Sequence, residues 1–226
     1  MDWNNDGKTD LIAGDTKGSV WLFLNTGTKR KPELAGGVRV EADGKPITAS
    51  QKHYKKVDGK YVVDRVTVGS HKLAEKYTKI HMADWDGDGL KDLLVGHSST
   101  IIIYKNAGTK SAPRFLAPVL IQTPEGKFPS RPSPYVVDWD GDGKRDLLVG
   151  TERAKVYFHR NVGTDQAAKL AKGELLKLTG DGFQNGYRCR IEVTDWNNDG
   201  KLDILAGNFY SSKRPMGGNI WLFLGQ

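Results

Sequence analysis

A nine-residue acidic segment, repeated four times in the same register, is the feature of this 226-residue chain that most restricts its fold. Each copy has oxygen-bearing side chains at positions one, three, five and nine, glycine at position six, and an apolar run directly afterwards. The copies begin at Asp2, Asp84, Asp138 and Asp195 and are called loops 1 to 4 below. An internal repeat of this kind indicates a fold assembled from similar supersecondary units.

The sequence around each loop predicts four short strands per repeat. An alternating apolar run follows every loop, and an Asn-x-Gly-Thr segment follows the first three runs, at residues 25–28, 106–109 and 161–164. We expect positive φ at the Asn and Gly of these turns. Another strand follows each of these turns, and one precedes loops 2 to 4. Helical periodicity is weak, although residues 166–178 could hold one or two helical turns.

Four short antiparallel strands recurring at roughly 40–60 residues are typical of β-propeller blades. We therefore predict an all-β protein with four partial or complete propeller blades in one repeat domain, residues 1–226. The repeats are placed at about residues 1–48, 80–130, 134–183 and 190–226, with an insertion at residues 49–79. Because the first blade lacks its first strand and the last blade its fourth, we expect a segment of a larger propeller.

Open strand edges expose unpaired backbone groups and pair readily with other strands. Self-association or pairing with a further segment is therefore expected, and a monodisperse monomer at high concentration in light scattering would contradict it. The six tryptophans all occupy repeat positions, where core and blade contacts are the favoured role and sugar stacking or cofactor binding is the alternative. They are Trp3, Trp21, Trp85, Trp139, Trp196 and Trp221.

The spacing of oxygen atoms in the loops indicates a hard divalent cation. Clustered carboxylates repel one another and raise one another's pKa unless a cation lies between them. Ca²⁺ accepts six to eight oxygen ligands, and the glycine permits the sharp turn around it, whereas Mg²⁺ favours retained waters. By analogy with the EF-hand loop, position seven should supply a backbone carbonyl. The expected ligands of up to four Ca²⁺ ions are Asp2, Asn4, Asp6, Lys8, Asp10, Asp84, Asp86, Asp88, Leu90, Asp92, Asp138, Asp140, Asp142, Lys144, Asp146, Asp195, Asn197, Asp199, Lys201 and Asp203.

The loops are nevertheless not EF-hands. Position twelve of an EF-hand is a bidentate Glu, and here that position is apolar and belongs to the following strand. The motif Asp-x-Asp-Gly-Asp-Gly-x-x-Asp-Leu-Leu-Val-Gly of loops 2 and 3, with the aromatic-bearing strand and the Asn-x-Gly-Thr turn after it, resembles the FG-GAP/VCBS-type repeat. This resemblance implies calcium-loaded propeller blades like those of integrin α subunits and of bacterial secreted or surface proteins.

Loops 1 and 4 depart from the motif, because Asn4 and Asn197 replace an acidic third residue. One formal charge less predicts weaker calcium binding in these two loops. The resemblance also implies an extracellular or cell-surface location, where millimolar calcium fills such sites. Any secretion signal is then expected upstream of the given chain.

The charge outside the loops favours anionic partners. The chain has 34 Lys and Arg against 27 Asp and Glu, and the loops hold 14 of these acids, so four bound Ca²⁺ ions would raise the net charge from +7 to +15. Such a surface attracts acidic polysaccharide, and nucleic acid only nonspecifically. Alternatively, the lysines keep exposed strands soluble. No apolar run approaches the roughly 20 residues of a membrane span.

Two stretches interrupt the repeat and are candidates for ligand binding, because binding residues concentrate on loops held by a rigid scaffold. They are residues 49–79, with a hairpin turn predicted at Asp58-Gly59, and residues 208–218. Their aromatic and basic side chains suit an acidic sugar, or a protein partner. The candidate residues are His53, Tyr54, Phe209, Tyr210, Lys213 and Arg214.

The favoured function is a noncatalytic calcium-binding module for adhesion or for carbohydrate or protein binding. The alternative is a polysaccharide lyase that acts on acidic polymers, since five histidines and eight tyrosines are present. No sequence motif brings them together, and no nucleophile elbow, zinc-protease motif or phosphate loop occurs. Release of unsaturated product from uronate polymers would overturn the noncatalytic assignment.

Overall fold

The computed structural model describes residues 1–48, 51–67, 77–179, 186–210 and 217–225. For residues 51–54, 61, 63, 65–67 and 210 it describes the backbone alone. No residue in these ranges is helical, so the helical turns allowed over residues 166–178 do not form. These residues instead form turns and one short strand. In the described part of the chain there is accordingly no helix long and apolar enough to cross a membrane.

Eighteen strands are described. In chain order they are β1 (Leu11–Gly14), β2 (Val20–Phe23), β3 (Val38–Arg39), β4 (Glu41–Ala42), β5 (Lys45–Pro46), β6 (Gln51–Val57), β7 (Lys60–Thr67), β8 (Lys79–Ala83), β9 (Asp92–His97), β10 (Thr100–Tyr104), β11 (Val119–Leu120), β12 (Ser133–Val137), β13 (Asp146–Gly150), β14 (Val156–His159), β15 (Glu174–Leu175), β16 (Tyr187–Thr194), β17 (Asp203–Tyr210) and β18 (Gly217–Phe223).

These strands form four antiparallel meanders, one for each repeat. β8 to β11 and β12 to β15 are four-stranded sheets in which chain neighbours pair, which confirms the predicted strand order of the second and third repeats. β1 to β3 and β16 to β18 are three-stranded in the part of the chain that is described. Loops 2, 3 and 4 each join the first strand of a sheet to the second, as predicted, and loop 1 leads into β1.

Two hairpins complete the described structure. β6 and β7 pair within the predicted insertion and are joined by Asp58 and Gly59, whose φ angles are 48° and 79°. Two consecutive positive φ angles are the geometry of a type I′ turn, which matches the twist of the flanking strands. The turn predicted at these two residues is therefore confirmed. β4 and β5 are joined in the same way by Asp43 and Gly44.

The chain divides into two compact units, Met1–Ile121 and Gln122–Gln226, and each has its own apolar core. In the first unit Leu93 and Ile102 are fully buried, and in the second Leu148 and Val156 are. β9 and β13 are buried along their whole length. This explains why the Leu-Leu-Val-Gly run after loops 2 and 3 is continuously apolar rather than alternating.

The glycine that ends this apolar run allows a neighbouring segment to approach closely. A Cβ atom on Gly150 would lie 2.6 Å from the carbonyl oxygen of Cys189 in β16, and one on Gly14 would lie 2.4 Å from that of Thr78. Both distances are shorter than real Cβ contacts. Within each unit, glycine is therefore required where the strand after an acidic loop meets the next repeat.

The tryptophans differ in burial. Trp85 is buried, and Trp3 and Trp139 pack against the cores of their units. Trp196, which is the second residue of loop 4, is 58% exposed. The expected core role is therefore wrong for Trp196, because more than half of its surface is exposed.

Candidate metal centres

The backbone of all four loops takes the same turn. Position six is glycine with φ between 82° and 85° in every loop. Position four also has positive φ, at 76° and 74° for Gly87 and Gly141 and at 58° for Asn5 and Asn198. Asn is among the few non-glycine residues that adopt this region readily. The conformation therefore explains why position four holds only Gly or Asn.

The aspartate at position one holds this turn together. Asp84 accepts hydrogen bonds from the backbone N–H groups of Gly87 and Gly89, with N···O distances of 2.8 and 3.1 Å. Asp138 accepts the equivalent bonds from Gly141 and Gly143, both at 2.9 Å. In loops 1 and 4 the donors are the residues at positions five and six. This carboxylate therefore faces the inside of the turn in each loop.

The aspartate at position nine ties the loop to a distant part of its own sheet. Asp146 is fully buried, and its two oxygens accept hydrogen bonds from the backbone N–H groups of Trp139 (3.1 Å) and Asn161 (2.7 Å). Asp10 and Asp92 make the same pair of bonds. Asn161 is the first residue of an Asn-x-Gly-Thr turn, so one carboxylate joins the loop to this turn.

Loop 4 keeps this arrangement with a different donor. Asp203 is fully buried and accepts hydrogen bonds from the N–H groups of Trp196 (2.7 Å) and Gly225 (2.8 Å). The aspartate at position nine thus has the same structural role in all four loops. The sequence analysis assigned it only as a metal ligand.

The Asn-x-Gly-Thr turns do not have the expected backbone. Neither their Asn nor their Gly has positive φ, so that prediction is wrong. The side-chain oxygen of Asn106 instead accepts hydrogen bonds from the N–H groups of Gly108 (2.9 Å) and Arg114 (3.0 Å). A Cβ on Gly108 would lie 2.3 Å from the carbonyl oxygen of Ala112. Glycine is therefore required by the close approach of the backbone, not by its φ angle.

Carboxylates cluster in loops 2 and 3. One oxygen from each of Asp84, Asp86 and Asp88 lies within 4.8 Å of the others, and the same holds for Asp138, Asp140 and Asp146. Oxygens that share a Ca²⁺ ion at about 2.3–2.6 Å are separated by at most about 5 Å. Asp86 Oδ1 is also buried and has no hydrogen-bond partner among the described residues. The donor set therefore fits a hard cation.

The position-nine carboxyls of loops 2 and 3 have raised pKa values. Burial raises the pKa of the Asp92 carboxyl to about 6, and the charges of Asp86 and Asp88 act in the same direction. Burial likewise raises the pKa of Asp146. A divalent cation between the carboxylates would oppose both effects by favouring the ionised form.

The fifth and seventh positions interact in every loop. The N–H of Leu90 donates a 2.8 Å hydrogen bond to Asp88, and Lys8, Lys144 and Lys201 donate equivalent bonds. The backbone bond from position seven is the leading cause of the lowered pKa of Asp6 and Asp199. For Asp142 the leading cause is a hydrogen bond from the Lys144 side chain, followed by the backbone bond. The carbonyl role of position seven stays a prediction. Position twelve lies in a strand in all four copies, as expected of a loop that is not an EF-hand.

Two basic residues that the sequence analysis missed contact position three. Lys105 Nζ lies 2.6 Å from Asp86 Oδ2, and Arg160 Nη1 lies 2.7 Å from Asp140 Oδ2. Each basic residue directly precedes the Asn of an Asn-x-Gly-Thr turn. An alignment of the four repeats over their full length would have revealed them. The residue equivalent to Lys105 and Arg160 is basic only in the repeats whose position three is acidic.

Only part of the predicted ligand-binding set can be placed. Lys213 and Arg214 lie outside the described residues, as do the side chains of His53, Tyr54 and Tyr210. Phe209 is in β17, with its ring centroid 5.9 Å from that of Tyr187. Phe209 is therefore the one predicted ligand-binding residue whose side chain is described.

Phe209 lies in a shallow groove of about 430 Å³ in the second unit. The guanidinium carbon of Arg188 is 5.1 Å from the centroid of its ring. Burial, with the charge of Arg188 as a second cause, lowers the pKa of Arg190. In the sequence, Arg188 and Arg190 stand out as two arginines at alternate residues of a strand. The groove is lined by Arg188, Arg190, Asn208, Phe209, Asn219 and Ile220, together with two glycines.

Comparison with known families agrees with this geometry. The model of the FG-GAP-like repeat matches residues 84–149 and 138–206, which together span more than half of the chain. The chain therefore belongs to the FG-GAP-like repeat family. Loops 2, 3 and 4 lie within the matched region, and loop 1 lies outside it.

No curated protein matches the chain. Among solved structures, it is similar to a chain in the structure of the Photorhabdus luminescens Tc holotoxin pore, with 20% sequence identity and a TM-score of 0.44. The match covers 94% of this chain and 8% of the toxin chain. At this distance the similarity supports no conclusion about function.

Proposed function

We propose that this protein is a noncatalytic, calcium-stabilised β-propeller module that acts outside the cell in adhesion or carbohydrate binding. The observation that carries the calcium assignment is the shared loop geometry. In each loop backbone N–H groups hold the carboxylates at positions one and nine, and in loops 2 and 3 three carboxylates lie within 4.8 Å of one another. Bound Ca²⁺ would supply the positive charge that offsets their repulsion.

The protein's own residues would position the ion. In loops 2 to 4 the aspartate at position one directly follows the first strand of its sheet, and the aspartate at position nine begins the second strand. In loop 1 the aspartate at position nine directly precedes β1. An ion held between the two aspartates would therefore fix the bend that joins two strands. The meander sheets and the close approach at Gly14 and Gly150 support a propeller arrangement of these repeats.

Titration calorimetry on chelator-treated protein tests the assignment. We expect up to four Ca²⁺ ions per chain, and Asp88→Asn should remove or weaken one site in loop 2. Asp58→Asn, in the turn between β6 and β7, is a matched control that should leave the ion count unchanged. A chain that binds no calcium at millimolar concentration would refute the proposal.

The groove around Phe209 favours an acidic polysaccharide as the bound partner. Two arginines and an aromatic ring lie together with two asparagine amides, all in one groove. A guanidinium group pairs with the oxygens of a carboxylate or sulfate, and the amides hydrogen-bond with hydroxyl groups. Arg188 Nε lies 3.8 Å from Glu152 Oε1. The groove therefore suits an anionic pyranose.

Removal of both arginines should weaken this binding. For Arg188→Ala/Arg190→Ala we expect about tenfold lower affinity for polygalacturonate, because two charge-assisted contacts are lost. Lys169→Ala/Lys172→Ala removes two exposed charges elsewhere in the same unit and is the control. Sulfated dextran distinguishes sulfate from uronate recognition. Equal loss in both double variants would show that only net charge matters, and would contradict a specific site.

The described histidine side chains favour the noncatalytic role over the lyase alternative. Of the five histidines, His97 and His159 are buried, and burial lowers the pKa of His81 to about 4. Such side chains are poorly suited to abstract a proton beside a uronate near neutral pH. Self-association through open strand edges remains a prediction.

A further inference from the structure

The four loops fall into two types that differ at two positions together. The first is position three, and the second is the residue directly before the second N–H donor to position nine. This second residue is basic where position three is Asp, as with Lys105 and Asp86. Where position three is Asn, that residue is leucine, as with Asn4 and Leu24. The other two pairs are Asp140 with Arg160 and Asn197 with Leu224. The two formal charges therefore sum to zero in every loop.

The geometry shows why the two positions are linked. Lys105 Nζ and Asp86 Oδ2 are 2.6 Å apart, although they are 19 residues apart in sequence. The Asp86 side chain is 15% exposed, and that of Asp140, which pairs with Arg160, is 16% exposed. Ion pairs with one partner this well buried are screened less than those between two exposed side chains.

In loop 2 Lys105 binds Oδ2 of Asp86, and Oδ1 is left buried without a hydrogen-bond partner among the described residues. In loop 3 Arg160 contacts Oδ2 of Asp140, and Oδ1 accepts the N–H of Asp142 at 3.2 Å. The second oxygen of Asp86 therefore remains available to a cation in loop 2. Loop 3 has a further contact, since Lys144 Nζ lies 2.9 Å from Asp142, whereas loop 2 has leucine at that position.

We propose that Lys105 and Arg160 are affinity-determining residues of the metal loops, which hold the third carboxylate in the metal-free state and oppose the ion once it binds. This inference rests on the calcium-binding function proposed above. A fixed positive charge about 6 Å from Ca²⁺ lowers its affinity roughly tenfold even at the dielectric constant of water. The extra acidic group in loops 2 and 3 is thereby offset.

A consequence is that the loops should not rank in affinity by their acidic residues alone. The sequence by itself predicts weaker binding in loops 1 and 4, since each has one aspartate fewer. With Lys105 and Arg160 included, the difference between the two loop types should shrink to a few fold. The basic residue also relieves repulsion among the carboxylates of the empty loop, which keeps the loop folded at low calcium.

Loop 2 is the cleanest place to test this, because its position seven is leucine, whereas in loop 3 that position is a lysine that also pairs with an aspartate. For Lys105→Leu we expect about tenfold tighter calcium binding at loop 2 in titration calorimetry, and a lower melting temperature in chelator. Lys45→Leu, on the exposed strand β5 of the same unit, is the matched control and should change neither.

The double variant Asp86→Asn/Lys105→Leu separates this role from simple structural pairing. It recreates the Asn and Leu pair of loops 1 and 4, so its calcium affinity should return to within about threefold of wild type. Asp86→Asn alone should weaken binding more than tenfold, because Lys105 then has no carboxylate to pair with at that position. The double variant also keeps the test valid if Lys105→Leu does not fold in chelator.

The outcomes distinguish this inference from the function on which it rests. If wild type binds calcium and Lys105→Leu binds it with unchanged affinity, the role of Lys105 is wrong and the calcium function stands. If wild type binds no calcium, both are wrong. A double variant that binds calcium more than tenfold more weakly than wild type would likewise overturn the proposed offset between the two charges.

Discussion

Chelation of calcium is expected to lower the melting temperature of this protein by about 10–20 °C. A ligand at 100 times its Kd stabilises the folded state by about 2.7 kcal/mol per site. Each compact unit contains two loops, so the loss per unit is about 5 kcal/mol. For domains of this size, 1 kcal/mol corresponds to a few degrees. Differential scanning calorimetry in millimolar calcium and in excess chelator measures the shift.

Metal specificity provides the control for this experiment. Calcium added back to the chelated protein should restore the higher melting temperature. Magnesium at the same concentration should restore much less, because it requires a compact octahedral shell and retains its waters. An unchanged melting temperature in chelator would mean that the clustered aspartates are tolerated without a metal.

The strand pattern could be predicted from the sequence because its signals are local. Alternating and continuous apolar runs located the strands of all four sheets, and the Asp58-Gly59 pair located a hairpin turn. The loops could be located for the same reason, since positive φ at position six restricts that residue to glycine. Nine consecutive residues thus contain most of the information about each turn.

The missed features depend on contacts between distant residues. Asp146 pairs with the N–H of Asn161, and Lys105 pairs with Asp86 across 19 residues. Neither contact follows from spacing until the sheet register is known. The position of the glycine in the Asn-x-Gly-Thr turn was predicted correctly, but the reason for it was wrong. Glycine is required there because a carbonyl oxygen four residues later leaves no room for a Cβ atom.

The exposure of Trp196 has a similar origin. The equivalent Trp85 is buried, although both occupy position two of their loops. The same position in the repeat motif therefore does not fix the burial of this side chain.

Loss of the Asp146 carboxylate should destabilise the protein whether or not calcium is present. Asp146 is fully buried, and its two oxygens accept the N–H groups of Trp139 and Asn161. Asp146→Ala leaves both donors without this partner, and each unsatisfied donor costs about 1–3 kcal/mol. We therefore expect a loss of about 2–6 kcal/mol in the free energy of unfolding, measured by urea denaturation in calcium and in chelator.

The matched variant is Asp142→Asn at position five of the same loop. Asp142 lies on the exposed side of the loop, and Asn keeps the side-chain oxygen that accepts the N–H of Lys144. Its loss of stability should therefore be confined to calcium-containing buffer, where one charged ligand is missing. This contrast separates the structural role of position nine from the metal-binding role of position five. If Asp146→Ala were as stable as wild type in chelator, the carboxylate would act only through the ion, and the two positions would be equivalent.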